Sequence, residues 1–140
     1  AILLGADRER IESLAAYGRS IGQAFQIRDD VLDLTTPSET LGKQRGSDLI
    51  EGKRTVITQH AREQGIDVDG LITGTDPDTV SDEEIEAAVE TLEAAGSIAY
   101  ARDLAAELVE DGIAELDALP ENEARRRLEQ IGTYLIERSY

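Results

Sequence analysis

The sequence predicts an all-α protein, a helical bundle or part of one. Three observations carry this. Apolar residues recur at three- and four-residue steps over long stretches. Capping patterns such as "SDEE" at Ser81 stand where those stretches begin. Gly65, Gly96 and Pro120 stand where they stop. No convincing strand interrupts the helices, and there is no internal repeat.

The first residues, "AILLGAD", read as the last turn of an apolar helix that began upstream. No methionine occurs anywhere, not even at position 1, so the chain reads as a processed product or a piece of something longer. At 140 residues it is long enough for a real core, and 1–140 is expected to form a single all-α domain fragment. Residues 7–34 form the first clear helix, with Ile11, Leu14, Ala15, Gly18, Ile21, Gly22 and Phe25 at helical steps. Gly18 and Gly22 lie one turn apart, a spacing that would let another backbone come close. Pro37 ends this helix, because the residue before proline avoids helical geometry. Residues 35–47 are expected to be a loop. A second helix starts at Ser47 or Asp48, with Asp48 as cap and Glu51 completing the box, and runs to Gln64. Residues 65–80 make a loop with a short helical piece. Helices follow over 81–95, over 97–118 with Ile98, Ala101, Leu104, Leu108, Ile113 and Leu116 inward, and over 121–138, burying Leu128, Ile131, Leu135 and Ile136.

Charge narrows the function. Thirty acidic residues stand against fourteen basic ones, a net charge of −16. Such a surface repels nucleic acid and anionic membranes. There is no cysteine, hence no disulfide and no thiolate chemistry. No signal peptide is visible and no apolar run approaches a membrane span, so the default location is the cytoplasm. Twelve of the basic residues are arginine, and the two lysines, Lys43 and Lys53, both fall in "GKQRGSDLIEGKR". Avoidance of lysine elsewhere points to a salt-adapted proteome. It also marks these two as retained for a reason, against the bland alternative of ordinary surface charge.

The segment "FQIRDDVLDL" poses the sharper question. At 100° per residue, Gln26, Asp29, Asp30 and Asp33 fall within about a 100° sector of the helix. Like charges one turn apart cost a few tenths of a kcal/mol. Negative charge at a helix C-terminus costs roughly 0.3–1 kcal/mol more. Burial would add a larger desolvation cost unless partners are supplied. A divalent cation is one such partner. Oxygen-only ligands with no cysteine or histidine nearby suit Mg²⁺, or Mn²⁺, rather than zinc. In a chain with 30 acids a solvated acidic face is the competing explanation. Lys43 and Lys53, beside a glycine-rich turn and a helix start, tip the balance toward a Mg²⁺–diphosphate site. His60, the one histidine, reads as structural or exposed and not as a base.

"GQAFQIRDDVLD" followed by "LGKQRGSDLIEGKRT" closely resembles the trans-isoprenyl diphosphate synthases, or polyprenyl synthetases. The match is to their second aspartate-rich motif and the lysine-bearing segment after it, and it extends weakly to "YLIERSY". The resemblance implies the C-terminal part of an isoprenoid-synthase fold. It implies a prenyltransferase joining an allylic diphosphate to isopentenyl diphosphate with Mg²⁺, through diphosphate departure and an allylic carbocation, in a parent enzyme that is a homodimer. It implies Asp29 as direct metal ligand, with Asp30 and Asp33 completing the site directly or through water. Gln26, Lys43 and Lys53 would hold the allylic diphosphate, and Asp48 would orient Lys53 or metal-bound water.

The family's first DDxxD motif and its isopentenyl diphosphate site lie upstream and have no counterpart here. The chain is therefore expected to supply one half-site and to be inactive alone. A non-catalytic subunit of a heteromeric synthase is the alternative, though such a subunit need not keep three aspartates and both lysines. A helical binding domain with loosely held ions is another. A terpene cyclase fits "DDVLD" poorly, since its second metal motif usually carries Asn or Ser and Glu. Ala15 and Gly22 share the sector of Gln26 and Asp29 and would border the isoprenoid tail, with close helix packing as the competing explanation. Arg19 in the same sector would have to turn aside.

Overall fold

The computed structural model describes residues 5–42, 44–74 and 79–137, and all regular structure among them is helical. The expectation for residues 1–4 lies outside the described residues. Helix α1 spans Arg8–Thr35, α2 Ser38–Leu41, α3 Ser47–Ile50, α4 Val56–Glu63, α5 Asp82–Ala94, α6 Ser97–Glu115 and α7 Glu123–Glu137. Single 3-10 turns stand at Val68–Gly70 and Leu116–Ala118.

The predicted stops and starts are in place. Gly65 and Gly96 follow their helices in the left-handed region, at φ +84° and +71°. Ser81 Oγ accepts the Glu84 N–H at 3.2 Å. Glu84's own carboxylate turns to Thr73, accepting from its N–H at 2.7 Å and its hydroxyl at 2.8 Å. These bonds, the backbone one first, hold the Glu84 carboxyl below the usual carboxylate range. The Asn122 side chain caps α7 by accepting from the Arg125 N–H at 3.0 Å.

Several expectations need correction. Residues 35–47, expected to be a loop, contain the short helix α2 after Pro37. The helix expected from Ser47 or Asp48 to Gln64 is broken into α3 and α4. Gly52 sits at φ +67°, a conformation that ends the first turn. Thr55 then starts α4 through a reciprocal pair with Thr58, each side chain accepting from the other's backbone N–H. Asp48 is not the cap of α3. Gly46 holds that position, at φ +72°.

The buried face of α1 is also rotated from the expected one. Ser13, Tyr17, Ile21, Ala24, Ile27, Val31 and Leu34 are buried, while Ala15, Gly18 and Gly22 are exposed and Phe25 is 46 % exposed. Within α7, Leu128 is half-buried and Ile131 is 52 % exposed, against the expectation of burial. The side chains of Leu135 and Ile136 lie outside the described residues.

The chain divides into two compact units, residues 1–26 with 104–140, and residues 27–103. The first has an apolar core of Tyr17, Ile21, Ala24, Val109 and Leu116, with Leu14, Leu108, Ile113 and Leu128 against it. Tyr17 donates its hydroxyl to the Leu128 carbonyl at 2.8 Å, and burial pushes its pKa up. Close helix approach here depends on Gly112 and Gly132. A Cβ at Gly112 would lie 3.1 Å from Ser20 Cβ, and one at Gly132 3.2 Å from Ile113 Cγ1. At Gly18 and Gly22 a Cβ would meet nothing within 4 Å, so that pair does not mediate close packing among the described residues. The second unit buries Leu49, Ile50, Ile57, Ala61, Ile85, Val89, Leu92 and Ile98. In it His60 Nδ1 lies 3.0 Å from Ser97 Oγ and the ring stacks on Tyr100 at 4.4 Å, a structural role as expected.

Candidate metal and diphosphate site

The C-terminal turns of α1 present the aspartates. The acidic sector is split by burial. Asp29 is exposed, Asp30 is 8 % exposed and Asp33 only 1 % exposed. Gln26, one turn before Asp29 on α1, is exposed. Asp33 is buried because the chain folds back over it. Its Oδ1 accepts from the Ser47 hydroxyl at 2.8 Å and its Oδ2 from the Asp48 N–H at 3.0 Å. Its backbone carbonyl accepts from the Gly46 N–H at 2.8 Å. A single residue of α1 thus engages three successive residues at the start of α3. Among the described residues, no three His, Asp or Glu side chains are grouped so as to hold a metal by themselves.

The lysine segment is fixed from several sides. Arg45 donates through Nε to the Leu34 carbonyl, pairs through Nη1 with Glu86 of α5, and its N–H donates to Ser38 Oγ at 3.0 Å. Gln44 Nε2 donates to the Val80 carbonyl at 3.4 Å. Lys53 Nζ donates to Asp48 Oδ1 and lies 3.2 Å from Glu51 Oε2. These two carboxylates, Asp48 first, hold the Lys53 ammonium above its usual pKa. Lys53 is one of the two partners the sequence reading offers Asp48, metal-bound water being the other. Lys43 lies outside the described residues.

Sequence reading missed Ser47, Arg45 and Glu86 as parts of this arrangement. Arg45 and Ser47 lay inside the segment already singled out for its lysines. Nothing in the local sequence marked Glu86, whose partner is 41 residues away.

Residues 1–92 match the polyprenyl synthetase family, and the chain belongs to it. It is 64 % identical, over its whole length, to a geranylfarnesyl diphosphate synthase of Natronomonas pharaonis, covering 40 % of that protein. Among solved structures it is similar to a geranylgeranyl pyrophosphate synthetase of Pyrococcus horikoshii, at TM-score 0.83 and 34 % identity over 96 % of this chain and 42 % of that one. It is also similar to a geranylgeranyl pyrophosphate synthase of Corynebacterium glutamicum in complex with isoprenyl diphosphate and magnesium. There the TM-score is 0.78 and the identity 31 %, over 96 % of this chain and 39 % of that one. The chain spans about 40 % of the length of the curated relatives it matches. No helix among the described residues is long and apolar enough to cross a membrane.

Proposed function

We propose that this chain supplies the second metal and diphosphate half-site of a trans-isoprenyl diphosphate synthase. The reaction of the whole enzyme is condensation of an allylic diphosphate with isopentenyl diphosphate. The observation that carries this reading is the presence, within one unit, of an exposed Asp29 and of a Lys53 held by Asp48 on a segment anchored to the same helix. The donor set fits a hard cation. It is all oxygen, and Mg²⁺ typically takes only one or two protein carboxylates, leaving the rest of its shell to water and phosphate.

Mg²⁺ held there would supply positive charge to offset that of the leaving diphosphate. The chain's own residues have complementary tasks. Asp29 offers a carboxylate oxygen to the cation, with Asp30 beside it on α1. Lys53 carries three N–H donors, of which Asp48 and Glu51 accept two. Its side chain is 51 % exposed, so a diphosphate oxygen can take the third. The two carboxylates keep the ammonium charged and aimed, so positive charge stands in place before charge develops on the leaving group. Gln26 and Lys43 complete the diphosphate contacts. No protein nucleophile is required, consistent with a chain that has no cysteine. Alone, this segment is expected to bind and not to turn over.

Calorimetry of Mg²⁺ binding in the full-length synthase, with and without an allylic diphosphate, tests the reading. Mg²⁺ should bind tightly only with the diphosphate present. Equal Mg²⁺ affinity in its absence would favour a helical domain with loosely held ions.

A further inference from the structure

We propose that Asp33 is a positioning residue: its carboxylate caps the turn Ser47–Ile50 from outside and, through Asp48, sets Lys53, rather than ligating the metal. The inference deepens the function proposed above and rests on it only for its kinetic arm.

The argument starts at Gly46. A helix start normally carries its own side-chain acceptor for the first N–H groups. Here the N-cap is glycine at φ +72°, and no side-chain cap is made there. A side chain is doubly disfavoured at this position. The left-handed conformation strains it, and a Cβ would lie 3.1 Å from Ile85 Cγ2. The acceptor must come from elsewhere, and Asp33 supplies it. Its two carboxylate oxygens take the Ser47 hydroxyl and the Asp48 N–H, and its carbonyl takes the Gly46 N–H.

The contact continues from there. The Asp48 carboxylate accepts from Lys53 Nζ, and the Lys53 N–H donates to the Asp48 carbonyl at 2.9 Å. Two hydrogen-bonded steps thus join Asp33 to the ammonium. Asp33 is only 1 % exposed, and each of its two carboxylate oxygens accepts from the turn it faces. Asp29, one turn earlier on α1, is the exposed carboxylate.

Asparagine separates the two roles. Its amide oxygen can take the Asp48 N–H while its NH2 donates to the Ser47 hydroxyl oxygen, which reverses that one bond, but it lacks the charge a divalent ion needs. In the full-length synthase, Asp33→Ala should cut amide-exchange protection at Asp48 by on the order of tenfold, the size of a lost cap. It should raise KM for the allylic diphosphate by a similar factor. The Mg²⁺ concentration for half-maximal rate should stay within about twofold, since metal affinity is not what a cap controls. Asp33→Asn should restore both protection and KM. The proposal is overturned if Asp33→Asn raises the Mg²⁺ requirement by tenfold or more while Asp48 stays protected. It is equally overturned if Asp33→Ala leaves Asp48 protected. Should Asp33→Ala fail to fold, Asp33→Asn still distinguishes cap from ligand. If the wild-type protein showed no use of diphosphates, the function proposed above would fail, while the exchange measurement would still decide the capping role.

Discussion

Both units of the chain have an apolar core, and they differ in how much irregular chain each must fix. Residues 1–26 with 104–140 cohere through apolar contact around Tyr17, Ile21, Val109 and Leu116, with Gly112 and Gly132 admitting close approach. Residues 27–103 also have an apolar core, but their irregular stretches are fixed by side chains reaching backbone groups: Asp33 to Asp48, Arg45 to Leu34, Glu84 to Thr73. Long helices meeting along their length need shape complementarity. Short turns leave many peptide groups outside regular hydrogen bonding, and buried ones must be satisfied individually. The unit built the second way is the one that carries Asp29 and Lys53. Bracing a lysine at a defined place calls for directional bonds, which apolar packing does not provide.

The largest effect should come from a change at the exposed carboxylate near the end of α1. Asp29→Ala in the full-length synthase should lower kcat by on the order of 10²–10³-fold, the scale of losing one preorganised charge-stabilising contact. The melting temperature should hold or rise slightly, because the substitution removes negative charge near a helix C-terminus. Near-normal turnover would remove Asp29 from the site.

The next effect probes the apolar unit. Gly112→Val forces a branched side chain against Ser20 and Ile21, where even a Cβ is tight. Overpacking of this kind costs about 1–3 kcal/mol. Gly22→Ala, on a face where a Cβ meets nothing within 4 Å, should instead stabilise, up to about 1 kcal/mol through helix propensity. Denaturant melts of the two variants should move in opposite directions. If both destabilise equally, Gly22 faces packing that the described residues do not include. Gly22→Leu extends the comparison to function: shortened products with an intact fold would support a tail cavity along this face, and unchanged products would exclude it.

These contrasts also mark what the sequence could carry. Long helices were legible because periodicity and caps are local: Ser81, Gly65, Gly96 and Pro120 bounded them correctly. The break at Gly52 was not, since a glycine in a run of helix formers can be tolerated, and the Thr55–Thr58 box lacks the Glu or Gln that signals a start. The phase of α1 was misread because Gly18, Gly22 and Phe25 form a plausible stripe. Which stripe is buried is decided by partners around a hundred residues away, such as the Leu128 carbonyl that receives the Tyr17 hydroxyl. At the site, the motif residues were legible as a set. Their division into exposed Asp29 and buried Asp33 depends on Ser47 and Asp48 folding back, a long-range event with no periodic signature.

Salt acts on both units at once. At a net charge of −16 the folded chain repels itself. Raising ionic strength from 0.1 to 1 M shortens the Debye length from about 10 to about 3 Å. The melting temperature should rise by several degrees between dilute buffer and molar KCl, in keeping with salt adaptation. The Asp33 bonds to the Ser47 hydroxyl and the Asp48 N–H should persist, because neither donor is a cation whose attraction salt would screen. A melting temperature indifferent to salt, measured calorimetrically, would count against this.

The smallest effect concerns Glu84, whose Thr73 contacts join the loop before α5 to its first turn. Its folded-state pKa is lowered from 4.5, by the Thr73 N–H first and the hydroxyl second. A carboxyl depressed on folding contributes stability above its unfolded pKa and loses that contribution as pH falls through the folded value. Glu84→Gln keeps an oxygen that can accept from Thr73 but does not titrate. The melting temperature of the wild type should therefore exceed that of Glu84→Gln slightly at pH 7, and the gap should close in acid. Because the carboxylate is exposed, water screens much of the interaction and the gap stays small. A gap of constant size from pH 7 to pH 3 would mean that packing of the side chain, and not its charge, joins Thr73 to α5.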